Sequence, residues 1–230
     1  MNSLRELIVE NPTFSERETV TPIGVRAQHK TLSPAALLRE EQIHVLIQQL
    51  FFGHASAPVR HVGFTTMETS TAIATLCFEI ATALAQEDRY DVGLIDASPD
   101  SVLLQTQLQI SQPSRAEASW PIAARLWMVP RQSWLPDAGS PRITDQNLSR
   151  LRELTTEFDF SILYCASISW ITASIGQTCD GLVLVLTANK TRRLIASQIR
   201  EQLANAQVPL LGTVLAERRF PVPQGLYRNL

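Results

Sequence analysis

An α/β domain with a mostly parallel sheet, covered by helices on both faces, is the fold class this sequence predicts. Two observations carry it. Apolar runs of strand length, among them Val62–Thr66, Tyr90–Asp96, Phe160–Cys165 and Gly181–Thr187, alternate with longer segments whose apolar residues recur at helical spacing. At 230 residues and 45% hydrophobic content, the chain can bury one sizeable core, most economically as a single domain. Strands that alternate with helices pair in parallel, and a parallel sheet needs cover on both faces.

Residues 1–33 are polar, contain Pro12 and Pro22 and show little periodicity, so they read as a flexible arm ahead of a domain spanning 34–230. Pro34 to Phe52 reads as a helix, with Leu37, Leu38, Val45, Leu46, Leu50 and Phe51 apolar and Arg39, Glu40, Glu41 and Gln48 polar. After the strand at Val62, the residues Ile73, Leu76, Cys77, Ile80 and Leu84 form the apolar face of a buried helix. The next strand ends in the carboxylate of Asp96, a usual place for one at the edge of a ligand crevice. Residues 97–124 carry prolines, serines, glutamines and an apolar run near Val102 to Leu108, and no element is assigned there. Arg125 to Val129 reads as a strand stopped by Pro130, and a helix starting near Thr144 carries Leu148, Leu151, Leu154 and Phe158 on one face. Ile195, Ile199 and Leu203 mark the last helix, and Leu210 to Leu215 the last strand.

Composition narrows the function classes. A net charge of −2 and a pI near 6.1 give no general attraction to nucleic acid or anionic lipid. No apolar run is long enough to insert into a membrane, and Met1 to Glu6 lacks a signal-peptide core, so the expected location is cytoplasmic. Cys77, Cys165 and Cys179 sit in apolar patterns without a C-x-x-C pair and read as buried reduced thiols. His29, His44, His54 and His61 share no ligand spacing, so no metal is expected. Ser167 and Ser169 lack a nucleophile elbow. Trp120, Trp127, Trp134 and Trp170 read as core or interface anchors, since no basic groove accompanies them.

One βαβ unit stands out. Val62 to Asp96 lays out a strand, a turn, a helix and a second strand, the arrangement of a phosphate-binding loop. Such a loop needs glycines for close backbone approach, a lysine for the β and γ oxygens and a hydroxyl for magnesium. Between Thr66 and Thr75 there is neither glycine nor lysine. The hydroxyls of Thr69, Ser70 and Thr71 could cap the helix or meet an anion at its N-terminus. Asp96 and Asp100 could pair, although a strand-end aspartate followed by a loop aspartate more often serves the turn.

From Pro34 to the C-terminus the chain resembles the bacterial tyrosine kinases of capsule and exopolysaccharide biosynthesis, relatives of the MinD and ParA P-loop ATPases. The family loop, T-S-x-x-P-G-E-G-K-T-T followed by a helix ending N-L-A-x-A-L-A, fits Thr65 to Ala85 without a gap. On that register Ser70 and Ala72 replace glycines, Ile73 replaces the lysine and Ala74 the magnesium hydroxyl. The acidic D-x-D-x-R motif falls on Asp96, Ser98 and Asp100, and the aspartate of the third motif becomes Tyr164. Thr69, Ser70, Thr71, Ile73, Ala74, Asp96 and Asp100 are thus a vestigial nucleotide site. The strand at Asp180 to Val185, the Lys190-Thr191-Arg192-Arg193 run and the tail Arg219-Phe220-Pro221-Val222-Pro223 with Leu226-Tyr227-Arg228 match the family better. The subunit-packing motif E-x-x-R-x-x-R falls on Glu41, His44 and Ile47 and keeps only the glutamate.

The resemblance implies a P-loop NTPase-like fold, and the lost motifs imply a catalytically inactive regulatory or scaffold subunit of polysaccharide assembly and export. No cofactor is then expected. The implied partner is the cytosolic tail of an inner-membrane chain-length regulator, or an active kinase homologue, with a peripheral place at that membrane through the partner; an oligomer stays open. The alternatives are an ATPase or tyrosine kinase that binds ATP or ADP with magnesium through Lys190, Arg192 or Arg193, and a MinD/ParA-like positioning protein. The last is weakened by the missing lysines and by the lack of an amphipathic C-terminal helix.

Overall fold

The computed structural model describes residues 34–53, 58–67, 71–87, 89–98, 104–111, 118–136, 143–168, 170–187 and 193–216. The expected arm at 1–33 and the family-like tail after Ala216 lie outside them. In chain order the elements are α1 (Pro34–Ile47), β1 (His61–Thr66), α2 (Thr71–Ala85), β2 (Val92–Asp96), α3 (Leu104–Gln107), β3 (Trp120–Ala123) and β4 (Leu126–Val129). Then follow α4 (Asp145–Thr156), β5 (Phe160–Ser167), α5 (Trp170–Gly176), β6 (Gly181–Thr187), α6 (Arg193–Asn205) and β7 (Leu210–Ala216).

The strands form a single 7-stranded sheet in the order β3-β4-β2-β5-β1-β6-β7. Every neighbouring pair is parallel except β3 with β4. Alternate residues of the central strands serve two cores. Val62, Phe64, Ile162 and Tyr164 face a layer built from α1 and α2, whereas Leu163, Cys165, Leu182 and Leu184 face α4, α5 and α6. Strands buried on both faces explain the unbroken apolar runs in the sequence. Gly63 lies on the second face, where an added Cβ would collide with Leu182 and press on the Cys165 sulfur, so the close packing there requires glycine.

Two directions of travel meet at β1. The chain leaves β1 through α2 toward β2, and leaves β5 through α5 toward β6 on the other side. The carboxyl ends of β1 and β5 therefore flank the switch point at which open α/β sheets place their ligands.

Several expectations differ from the structure. In α1 the core stripe is Ile43, Ile47, Leu50 and Phe51, whereas Val45 is 55% exposed. A π-helical turn at Gln48–Phe52 extends the helix and swings Leu50 and Phe51 into the core. The unassigned stretch 97–124 contains α3 and the antiparallel edge strand β3, and α5 adds a helix before β6 where none was expected. The start of α4 is as read: Thr144 caps it, accepting from the Asn147 N–H at 3.3 Å, while the Asn147 side-chain oxygen accepts from the Thr144 N–H at 3.0 Å.

Candidate nucleotide crevice

Asp96 closes β2 with its side chain fully buried and its oxygens occupied. One carboxylate oxygen accepts from the Ser98 N–H at 3.1 Å and hydroxyl at 2.6 Å, and the other accepts from the Leu104 N–H at 2.8 Å, at the start of α3. The Asp96 carbonyl accepts from the Trp134 indole at 2.8 Å. Burial pushes the Asp96 carboxyl up from its ordinary range, against the pull of the Ser98 and Leu104 hydrogen bonds and of nearby Arg131. Asp96 thus ties β2 to α3 through its carboxylate and to the turn after β4 through its carbonyl.

Tyr164 stands beside Asp96 and Phe64 in the sheet register and is buried. Its hydroxyl accepts from the Gln107 side-chain amide at 3.0 Å. Both strand-end positions that the resemblance assigns to acidic motifs are thus held to α3, Asp96 through Leu104 and Tyr164 through Gln107. Gln107 was not foreseen; the apolar run near Leu108 was the only signal of α3.

On the other side of the crevice, Ile73 is 1% exposed and Ala74 equally buried, in the cluster that includes Phe64, Leu104 and Tyr164. Thr71 begins α2, while Thr69, Ser70 and Asp100 lie outside the described residues, as do Lys190 and Arg192. At the end of β5 the backbone departs from regular pairing: the register with β1 shifts between Phe64 and Thr66, and Ala166 has φ 50°. The Thr65 hydroxyl donates to the Ala166 carbonyl at 3.2 Å, and the Ile168 N–H donates to the Thr66 carbonyl at 2.7 Å. These bonds hold a left-handed alanine that costs roughly 1–2 kcal/mol.

Magnesium nucleotide needs a cation at the phosphates and carboxylate or hydroxyl ligands open to the metal. The described residues of the crevice do not meet that requirement: Ile73 is core, Ala74 carries no hydroxyl, and the Asp96 carboxylate is spent on the fold. Among the described residues no His, Cys, Asp and Glu cluster could hold a metal, and no helix is long and apolar enough to cross a membrane. Burial pushes the Cys77 and Cys165 thiols far up and Cys179 to about 12, so none is a thiolate nucleophile at neutral pH.

The packing motif divides as well. Glu41 and His44 are exposed, and the His44 Nδ1 meets the Glu40 carbonyl at 2.9 Å. Ile47 instead packs into the chain's own core.

No protein-family model and no curated protein matches the chain. Solved structures do, and they define an α/β fold of the P-loop NTPase kind. The septum site-determining protein MinD of Pyrococcus horikoshii, solved with Mg-ADP, matches with TM-score 0.53 at 14% identity over 74% of this chain and 76% of that one. Bacterial tyrosine kinase domains share this architecture. The kinase domain of the Escherichia coli tyrosine kinase ETK matches with TM-score 0.64 at 15% identity, covering 81% of this chain and 80% of that one. The VpsO kinase domain matches with TM-score 0.58 at 18% identity, covering 80% and 98%. At these identities the likeness concerns the fold.

Proposed function

We propose that the chain is a catalytically silent relative of the bacterial tyrosine kinases, acting as a regulatory or scaffold subunit in capsule or exopolysaccharide assembly. The observation that carries this reading is Ile73. The position that resembles the phosphate-loop lysine lies in the core of α2, so a cation there would have to leave water without a partner. Phosphoryl transfer relies on cations to neutralise developing charge, and neither Asp96 nor Tyr164 offers the metal an open ligand.

A scaffold role also accounts for what is retained. The sheet and both helical layers are intact, while among the described residues Asp96 and Tyr164 are bonded to Ser98, Leu104 and Gln107. The partner would be a component of the polysaccharide machinery, either the cytosolic tail of a membrane chain-length regulator or an active kinase subunit. Affinity capture of the tagged protein from its own cells, with quantitative mass spectrometry, tests this. The expected result is enrichment of a polysaccharide polymerisation or export component; enrichment of none, with the bait folded and abundant, contradicts the reading.

A further inference from the structure

The two edges of the sheet are built differently. β3 spans 4 residues, carries Pro121, which has no N–H to offer, and breaks register between Pro121 and Ala123. A short strand, a proline and an irregularity are the means by which sheets keep other strands from pairing with an edge. β7 is the opposite edge, paired with β6 on one side and with no strand on its outer side among the described residues. It spans 7 residues without proline or charge. Its one irregularity lies at the start, where Leu211 is an extra residue between the Leu182–Leu210 and Val183–Gly212 pairs, and Gly212–Ala216 then pairs regularly.

No residue of β7 is fully buried, whereas β1, β2, β5 and β6 are buried almost throughout. The register sets Gly212, Val214 and Ala216 on the α1–α2 face, beside Val183 and Val185. Thr213 and Leu215 take the opposite face, where Leu215 is 53% exposed. The edge thus offers both backbone groups and apolar side chains to a further strand.

The segment fits a copy of itself. When two identical strands pair antiparallel about a two-fold axis, each residue meets another of the same segment, so a charge would lie near a like charge; Gly212–Ala216 carries none. Directly opposed residues share a face of the sheet. An axis at Val214, the centre of the regular segment, sets Val214 against its counterpart and Gly212 against Ala216 of the second copy on one face, and Thr213 against Leu215 of the second copy on the other. An added Cβ at Gly212 would meet nothing within 4 Å, so the space beside it is open to that alanine methyl. Both copies of Leu215 gain a neighbour in the same step. An axis at Thr213 would instead oppose Leu215 to Leu211, whose side chain packs on the α1–α2 face.

We propose that β7 pairs antiparallel with β7 of a second copy of this chain, joining two 7-stranded sheets into one. Pairing through β7 goes beyond the scaffold reading and is independent of the state of the nucleotide crevice.

Sedimentation velocity of the full chain over about 1 to 200 μM tests it, with a monomer–dimer equilibrium of Kd on the order of 10 μM expected for a small edge contact. Leu215→Lys changes an exposed side chain and should weaken the dimer at least about tenfold with the circular dichroism spectrum unchanged; Thr213→Lys, also at an exposed residue, serves if it disturbs folding. Disulfide formation with diamide reads the register, with the parent as control for Cys77, Cys165 and Cys179. Val214→Cys should cross-link two copies, because its sulfurs meet at the axis, whereas Ala216→Cys should not, its two sites standing about 14 Å apart along the strands. A monomer throughout the range, a dimer untouched by the lysine variants, or cross-linking as strong at position 216 as at 214 would overturn the proposal.

Discussion

The two ends of the sheet differ in how their polar groups are used. At the carboxyl ends of β1, β2 and β5, where open α/β sheets place ligands, Asp96 and Tyr164 bond to α3 and Ile73 is packed as core. At the amino ends, the exposed Phe52 and Arg60 line an open groove together with Asp159. Polar residues at a switch point therefore do not by themselves make a site; what matters is whether their bonding capacity is left for a ligand.

The sharpest way to break this contrast is to place a lysine at Ile73. Ile73→Lys should destabilise the protein by about 4 kcal/mol or more, because an ammonium would be buried without a partner. Thermal unfolding by circular dichroism measures it. A variant as stable as the parent would show that the position opens toward solvent and that the crevice is less closed than described.

Next in size is Asp96→Ala, expected to cost about 3 kcal/mol by leaving the Ser98 N–H and hydroxyl and the Leu104 N–H without their acceptor. The sign of the pH effect follows from the raised carboxyl. The folded state holds the proton more tightly than the unfolded one, so this group favours folding most below its ordinary value of 3.8 and loses that contribution as pH rises through the raised folded value. Denaturant unfolding across that window should show a fall in stability for the parent that is smaller in Asp96→Ala. An equal or larger fall in the variant would mean that another group governs it.

The smallest effect sharpens the contrast rather than breaking it. Ala166→Gly should stabilise the chain by about 1 kcal/mol, since glycine adopts positive φ without the steric cost. Loss of stability in urea unfolding would show that the alanine methyl matters more than its backbone strain.

Much of the scaffold was legible because it rests on period. Buried strands such as Gly181–Thr187 read as continuous apolar runs, and α2 declared its inner face through Ile73, Cys77, Ile80 and Leu84. The recruitment of Ile73 into packing was visible in the same stripe. What was hidden depends on contacts remote in sequence. α3 has four residues and too little length for a periodic signal, and it is placed by Asp96 and by Tyr164, far from it in the chain. Val45 was read as part of the core stripe, but it lies off the line through Ile43 and Ile47. Short α5 escaped for the same reason as α3, and the aromatic groove assembles Phe52, Tyr90 and Phe160 from three separate segments.

The central claim, that the crevice has closed upon itself, is tested most directly by calorimetric titration of the purified protein with ATP and with ADP in the presence of magnesium. The account predicts no binding heat up to millimolar nucleotide, whereas saturable binding in the micromolar range would contradict it and return the chain to the nucleotide-binding members of its fold.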